Sequence, residues 1–510
     1  MRRAWLPALA LVALGVPAPA QDNLDVAAAG RSVVRVVVVA MADGEATGVG
    51  TGSGVAVAPD KILTNAHVLA DAAEGDAIIG IVPSEGRKRF TGRLIAFEPQ
   101  RDLALVQLLD GKVEPATIAS GPVPDGAPVA AVGYPYSVDR ARELSAEGFV
   151  TPQAPVKSWG RVSSGASSQR FDTVLHDASI GRGNSGGPLV DACGRVVGIN
   201  SFVTNSEGID AVFGFAVSAR ELLPFLREAG VKPNVTGLPC RTTAEQAAID
   251  EQLARDEAQV AAQERARADF AEEKTAARRQ TIRDRIAAER ENRMGVSMLL
   301  LVLAGIGANG ALLLWSRRDR RLALGAGAAA GLLVAGAAIA WGTRPDFDQV
   351  ETRLAAEQPK RRLAAARART GANICALDLA RSRITVSDPS DLPFTWQENG
   401  CADGRTQFAE ADGIWTRAEV APGQAAAAIR TFDPATGRLK IERYLLSSDT
   451  TAAARALATK YPAKACTPDG VNESATFAAA LKELLPPAPN ERLIYRCGPS
   501  EKAGESPPSR

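Results

Sequence analysis

Gly183-Asn184-Ser185-Gly186-Gly187-Pro188-Leu189-Val190 is the stretch on which the reading of this chain turns. A serine in so glycine-rich a turn keeps its hydroxyl uncovered. The backbone there can aim the amides of Gly183 and Ser185 at one point, where a tetrahedral oxyanion would sit. Small residues also mark tight turns that carry no chemistry, so the motif needs a base beside it. The 510-residue chain has only two histidines, His67 and His176. A serine becomes a nucleophile next to a neutral imidazole, so the chemistry of Ser185 rests on one of these two.

Around the serine, Val174-Leu175 ends a short apolar strand and Ser179-Ile180-Gly181-Arg182 is a loop into the turn. A hairpin candidate follows at Asp191-Ala192-Cys193-Gly194, then the strand Val196-Val197-Gly198-Ile199. His67 follows the alternating strand Gly54–Ala58 and the turn Pro59-Asp60, where a strand gives way to a short helical turn. From such a rim an imidazole can reach a neighbouring domain. His176 shares the strand-loop segment of Ser185 and is hard to brace against it, which makes it structural or part of the cleft wall. Asp102 opens the apolar run Leu103–Leu108, and a carboxylate at the mouth of a buried strand is costly unless paired. Pairing with the Nδ1 hydrogen of His67 resolves that cost and sets the tautomer; a bond to Arg101 or to a backbone amide is the plainer alternative.

His67, Asp102 and Ser185 stand in that order, within Thr64-Asn65-Ala66-His67-Val68, Arg101-Asp102-Leu103-Ala104-Leu105 and Gly183–Leu189. Together with Ser32–Val36, Gly50–Val55 and Gly214-Phe215-Ala216-Val217, these motifs resemble the trypsin-like serine proteases, and more narrowly their HtrA (Deg) branch. The resemblance covers residues 25–232. It implies an all-β protease domain of two six-stranded β-barrels, with the cleft between them. Ser185 is implied as nucleophile, His67 as base, Asp102 as its orienting partner, and the amides of Gly183 and Ser185 as oxyanion hole. Ser179 takes the place at the base of the primary pocket and carries no charge, so selection of basic side chains is not implied. Phe213, Gly214, Phe215 and Ala216 are the implied pocket wall, suited to small or medium apolar side chains. The family commonly has Asn-Pro where this chain has Gly181-Arg182, a departure that bears on the resting shape of the oxyanion loop. No metal or organic cofactor is required by this chemistry, and the substrate would be a protein or peptide.

Met1-Arg2-Arg3, the apolar run Ala4–Val16 and Ala18-Pro19-Ala20 fit a secretory signal peptide over 1–20, an uncleaved anchor being the alternative. Six cysteines agree with an oxidising compartment. Cys193 and Cys240 lie in or just after the protease region. Cys375, Cys401, Cys466 and Cys497 permit three pairings between which sequence does not choose. None of the spacings makes a zinc site.

From 243 to 293 the composition shifts to Ala, Glu, Arg, Gln and Asp without Pro or Gly, which predicts a helix about 75 Å long if unbroken. Ile249, Leu253, Val260 and Phe270 form at most a weak stripe, so a solvated spacer or a loose coiled coil is expected. Residues 295–315 and 322–341 are uncharged spans long enough to cross hydrocarbon, ending at Trp315 and Trp341. The joining Ser316–Arg321 carries four arginines, which favours the cytoplasmic side. With the signal peptide, this predicts a membrane protein whose protease and C-terminal parts both lie outside the cytoplasm; the family resemblance, with the composition, implies that the membrane is a bacterial inner membrane and that these parts face the periplasm. Recurrent small residues in both spans permit close helix packing and self-association.

Residues 351–369 read as a basic, helix-prone linker that Pro359 breaks. A net charge of +1 and the expected location argue against nucleic acid. Residues 370–500 read as a small disulfide-bearing domain with strand candidates at Arg383–Val386, Phe394–Trp396 and Leu439–Leu445. Helices are expected at Thr451–Ala458 and Glu473–Leu484, and no PDZ-type glycine loop follows residue 232. The leading expectation is a membrane-tethered serine endopeptidase; a partner-gated, chaperone-like binding protein on a protease scaffold is the alternative.

Overall fold

A computed structural model describes residues 22–75, 77–164, 171–204, 211–317, 319–357, 370–461 and 466–499. The expected signal peptide, Arg318 of the inter-span loop and residues 358–369 of the linker lie outside the described residues. Residues up to Asp250 together with those from Ala365 form one compact unit, and Glu251–Ala364 form a second.

Six strands make the first barrel: β1 (Val33–Ala42), β2 (Glu45–Ala58), β3 (Lys61–Thr64), β4 (Ala77–Pro83), β5 (Phe90–Glu98) and β6 (Leu103–Leu108). They close in the order β1-β2-β3-β6-β5-β4. Valine and isoleucine favour the pleated surface, and Val34, Val36, Val38, Ile62, Ile81 and Val106 fill the barrel interior. The next eight strands are β7 (Thr117–Ala119), β8 (Pro128–Gly133), β9 (Val156–Ser164), β10 (Thr173–His176), β11 (Pro188–Asp191), β12 (Val196–Val203), β13 (Gly214–Ser218) and β14 (Asn234–Thr236). Six of them run β11-β8-β9-β10-β13-β12, and the β11–β12 pairing closes the second barrel; β7 and β14 extend it in parallel. One apolar cluster, including Leu103, Leu105, Val132, Val190, Ile199 and Val217, contains residues of both barrels and of the helix Ala219–Glu228. The cleft therefore sits between two walls that share a core.

The expected spacer and first apolar span form one continuous 74-residue helix, Thr243–Ser316, followed by the helix Arg320–Gly342. Both are long and apolar enough to cross a membrane. Within their unit, Ser297 Oγ donates to the Ala337 carbonyl at 3.0 Å, and a Cβ on Gly336 would stand 3.5 Å from Leu300. Of the expected weak stripe, Ile249 and Leu253 are partly buried and Phe270 is exposed. Ile282 and Ile286 pack on Val350 and Leu354 of the short helix Gln349–Glu357. Arg353 pairs with Glu289, and Arg279 with Glu351, beside that seam.

The C-terminal part is a nine-stranded antiparallel sheet with two helices. Its strands are β15 (Gly371–Leu377), β16 (Leu392–Trp396), β17 (Cys401–Ala402), β18 (Thr406–Gln407), β19 (Ala409–Ala411), β20 (Ile414–Val420), β21 (Ala426–Asp433), β22 (Arg438–Leu445) and β23 (Glu491–Pro499). They lie in the order β18-β17-β16-β15-β23-β22-β21-β20-β19, around Phe394, Trp396, Phe408 and Phe432. Register decides the cysteine pairing: Cys375 on β15 lies directly opposite Cys497 on β23, and these two are joined, leaving Cys401–Cys466. A third disulfide joins Cys193 to Cys240. The expected helices lie within Ser448–Lys460 and Pro468–Leu484. Arg383–Val386 is not a strand. Arg383 makes an isolated bridge to Arg492, and the amides of Thr385 and Val386 are taken by the Glu491 side chain. Arg383 also pairs with Asp25 of the helix Asp22–Ala29, both side chains buried, and Asn490 donates to the same carboxylate at 2.7 Å. The C-terminal sheet is thereby moored to the start of the first domain.

Candidate active site

Ser185 lies between two glycines in left-handed backbone conformations, Gly183 (φ +94°) and Gly186 (φ +85°). Neither position accommodates a side chain: a Cβ on Gly183 would meet the Tyr134 carbonyl at 2.2 Å, and one on Gly186 the Ser53 carbonyl at 2.1 Å. The turn is laced to its surroundings. Ser53 Oγ, fully buried on β2, donates to the Gly183 carbonyl at 2.6 Å and accepts from the Tyr134 amide at 2.9 Å. The Ser53 amide donates to the Ser185 carbonyl at 2.9 Å. One residue of the first barrel thus holds the turn carried by the second.

Those bonds leave two donors uncommitted. The amides of Gly183 and Ser185 have no acceptor among the described residues. The Arg182 carbonyl accepts from the Tyr136 amide at 2.8 Å. In a planar trans peptide the N–H points opposite to the C=O, so the Gly183 N–H faces away from Tyr136.

His67 begins the helical turn after β3, and its ring is half exposed. Its Nδ1 lies 2.9 and 3.0 Å from the two carboxylate oxygens of Asp102, and its backbone N–H donates to the same carboxylate at 3.1 Å. Asp102 itself is left-handed (φ +53°), a conformation aspartate tolerates better than most residues. Buried Asn65 holds it there by donating to its carbonyl at 2.8 Å. Ser201 on β12 donates to the second carboxylate oxygen. Arg101 turns away, to Glu98, Glu221 and Glu228, so the plainer alternative of an Arg101–Asp102 pair is not what the structure shows. Ser185 Oγ donates to the Ser201 carbonyl at 3.2 Å and makes no hydrogen bond to His67 among the described residues.

His176 lies away from this group, fully buried on β10 opposite Gly214 of β13. Burial pushes its imidazole down to about 4, against the charge of Asp177 and hydrogen bonding to the Asn200 side chain and the Ala178 backbone. Of the expected pocket residues, Ser179 is exposed, Gly214 and Ala216 are buried, and Phe215 stacks on Phe202 at 4.7 Å. Phe213 is half-buried, and its amide donates to Thr204 Oγ1 at 3.0 Å. Asp191, Cys193 and Cys240 form a cluster of metal-ligand types, but the cysteines are joined to each other and Asp191 is bound by Arg195. Ser53, Asn65 and Ser201 carry bonds that sequence reading did not assign. The first two sat inside motifs read for other residues, and Ser201 gave no signal.

Residues 52–199 match the family described as trypsin-like peptidase domain. The chain is 30% identical over 169 residues to the serine protease Do-like HtrA of Bacillus subtilis, covering 33% of this chain and 35% of that protein. It is 32% identical over 168 residues to the periplasmic serine endoprotease DegP of Escherichia coli K12, covering 32% of each. The chain thus spans about a third of the length of these curated relatives. A crystal structure of a protease from M. tuberculosis, in its active form, aligns with 25% identity over 46% of this chain and 98% of that one, with a TM-score of 0.33. Among the described residues no PDZ fold is found. The two-barrel region of this chain is a trypsin-type serine protease domain of the HtrA/Deg-like kind.

Proposed function

We propose that the chain is a membrane-tethered serine endopeptidase. Ser185 attacks the scissile carbonyl, His67 takes the proton and returns it to the leaving amine, and Asp102 keeps Nδ1 protonated and steadies the imidazolium. The amides of Gly183 and Ser185 receive the oxyanion, and water resolves the acyl-enzyme by the same route in reverse. The observation that carries this reading is the grip of both Asp102 oxygens on His67 Nδ1 at 2.9 and 3.0 Å, beside a glycine turn with two uncommitted amides.

The two apolar helices and the arginines at 317–321 support a hairpin that dips to the cytoplasmic side of a bacterial inner membrane. The protease and C-terminal domains would then work on unfolded or signalling proteins in the periplasm, the compartment named for the E. coli relative. A gated version of the same enzyme is favoured by one contact: Ser185 Oγ is turned to the Ser201 carbonyl, so a small rotation must precede attack.

The test is incubation of the detergent-solubilised full chain, beside Ser185→Ala, with an unfolded protein and a serine-reactive phosphonate. Cleavage and labelling are expected only with the serine present. Equal proteolysis by both proteins, or absence of label under every condition, would sink the proposal. Labelling without cleavage would favour the gated form.

A further inference from the structure

Arg35 is a charge set into a barrel wall otherwise made of valine. It stands on β1 directly opposite Ser53 of β2, on the face that carries Val33 and Val55 into the core shared by the two barrels. Its neighbours Val34 and Val36 point the other way, into the first barrel. The Arg35 side chain is 2% exposed, and its guanidinium grips the Asp139 carboxylate with two bonds, at 2.6 and 2.9 Å, across 104 residues of chain. It also lies over the Tyr134 ring, 4.6 Å from its centre.

Such a pair is a poor stabiliser. Taking two charges out of water costs about as much as their attraction returns, and apolar side chains of similar volume are often as stable in the same place or more so. What the pair supplies is geometry, because a planar two-pronged donor fixes both the distance and the direction of the carboxylate it holds. Asp139 belongs to the helix Tyr136–Ala141, in the connection from β8 to β9. The first residue of that helix, Tyr136, donates its N–H to the Arg182 carbonyl at 2.8 Å. Arg182 and Gly183 share the peptide whose N–H is one of the two uncommitted donors beside Ser185. Its carbonyl and N–H are opposed, so the bond from Tyr136 selects the orientation that turns the Gly183 N–H away from the helix and leaves it free. Glycine resists rotation of this peptide weakly, so the hold must come from outside the turn. A second arm runs beside the first. Ser53, the cross-strand partner of Arg35, bonds the Gly183 carbonyl and the Tyr134 amide. The two arms start from paired residues of the first barrel and end on the carbonyls either side of the Gly183 Cα.

We propose that Arg35 and Asp139 are positioning residues for catalysis. Their buried pair holds the helix Tyr136–Ala141 against the first barrel, so that the Tyr136 N–H keeps the Arg182–Gly183 peptide in the orientation an oxyanion hole requires. Neither side chain touches the substrate. This inference rests on the endopeptidase reading and makes the Ser185 turn of the second barrel depend on a charge of the first.

Two variants of the full chain in detergent separate positioning from plain stability. Arg35→Met/Asp139→Leu replaces the pair by apolar side chains, and Arg35→Lys keeps the charge without the two-pronged grip. The double variant is expected to melt cooperatively, at or above the wild-type temperature. Its kcat on a peptide substrate should fall about 10²-fold, as for loss of one oxyanion donor, with KM within about threefold of wild type. Arg35→Lys should recover part of that loss. Hydrogen exchange reads the turn without turnover, since the amides of Asn184, Gly186 and Gly187 are bonded to the carbonyls of Gly181, Asn200 and Asn184. Exchange over residues 134–142 and 180–187 should quicken in the double variant, while that of β4 to β6 is unchanged. A folded double variant with kcat within about threefold of wild type, or with unchanged exchange over 180–187, overturns the inference. If the double variant does not fold, Arg35→Lys decides by the same two readings, and wild-type values of both overturn the inference. A wild-type chain that cleaves nothing counts against the endopeptidase reading, while exchange over 180–187 still decides whether the pair holds the turn.

Discussion

Two rows of backbone amides in this molecule have opposite fates. In the C-terminal domain, the amides of Thr385, Val386 and Ser387 all donate to Glu491 Oε1, at 2.8, 2.6 and 2.8 Å. The other oxygen of that fully buried carboxylate takes Ser387 Oγ at 2.5 Å and Arg443 at 3.2 Å. In the protease domain, the amides of Gly183 and Ser185 have no acceptor among the described residues. Filled donors rigidify a loop; uncommitted ones are poised for charge that arrives from outside. Chain conformation separates the two cases. The active-site turn needs left-handed glycines to splay its amides, whereas the C-terminal loop is drawn around an internal anion.

The largest effect should come from the group that aligns the base. Asp102→Asn is expected to lower kcat about 10⁴-fold, by favouring the wrong tautomer of His67, and peptide hydrolysis with burst titration of Ser185 would read it. A loss below tenfold would mean that the 2.9 Å contact does not serve catalysis. Next, Glu491→Ala leaves Arg443 and three amides without their acceptor. It should lower stability by about 3–5 kcal/mol in denaturant titration, with loss of the C-terminal domain's structure. If Glu491→Ala were neutral, the contrast between filled and open amides would collapse.

Gly183→Ala sharpens the same contrast from the protease side. Its φ of +94° and the Tyr134 carbonyl 2.2 Å from the new Cβ force the turn to move. A fall in kcat of about 10²–10³-fold, as for loss of one oxyanion donor, is expected with little change in KM. The smallest effect concerns His176. Its native value of about 4 lies below the unfolded value of 6.5. The unfolded chain therefore takes up a proton first as pH falls. The stabilisation is fully present above about pH 6.5 and is lost progressively toward pH 4, by an amount on the order of 3 kcal/mol. Thermal melts of His176→Phe should show a flatter pH dependence in that window, and an unchanged slope would place the pH sensitivity elsewhere.

Much of the candidate site was legible because its chemistry requires rare residue types in fixed local settings. Two histidines, a glycine-bounded serine and an aspartate at a strand mouth leave few combinations, and hydropathy alone marks the two apolar helices. The supporting hydroxyls were not legible. Ser53 reaches Gly183 across 130 residues and Ser201 reaches Asp102 across 99, and serine is too common for either partnership to show in the chain. The C-terminal sheet was harder still. Its strands are interrupted by charges that are paired in the fold, and Arg383–Val386 resembles a strand although its amides serve Glu491. Ile282 and Ile286 likewise find Val350 and Leu354 only because two apolar helices turn the chain back on itself.

The sequence by itself determined the protease class of the first domain, the identity of the three candidate catalytic residues, and the presence of two spans able to cross a membrane. These follow from local chemistry and periodicity, which need no knowledge of distant partners. Tertiary structure decided the cysteine pairing, since Cys375 and Cys497 meet only through the register of β15 and β23. It also decided which amides are free and where the Ser185 hydroxyl points. Each of these depends on the orientation of groups far apart in the chain, and only closure of the barrels and of the C-terminal sheet fixes it.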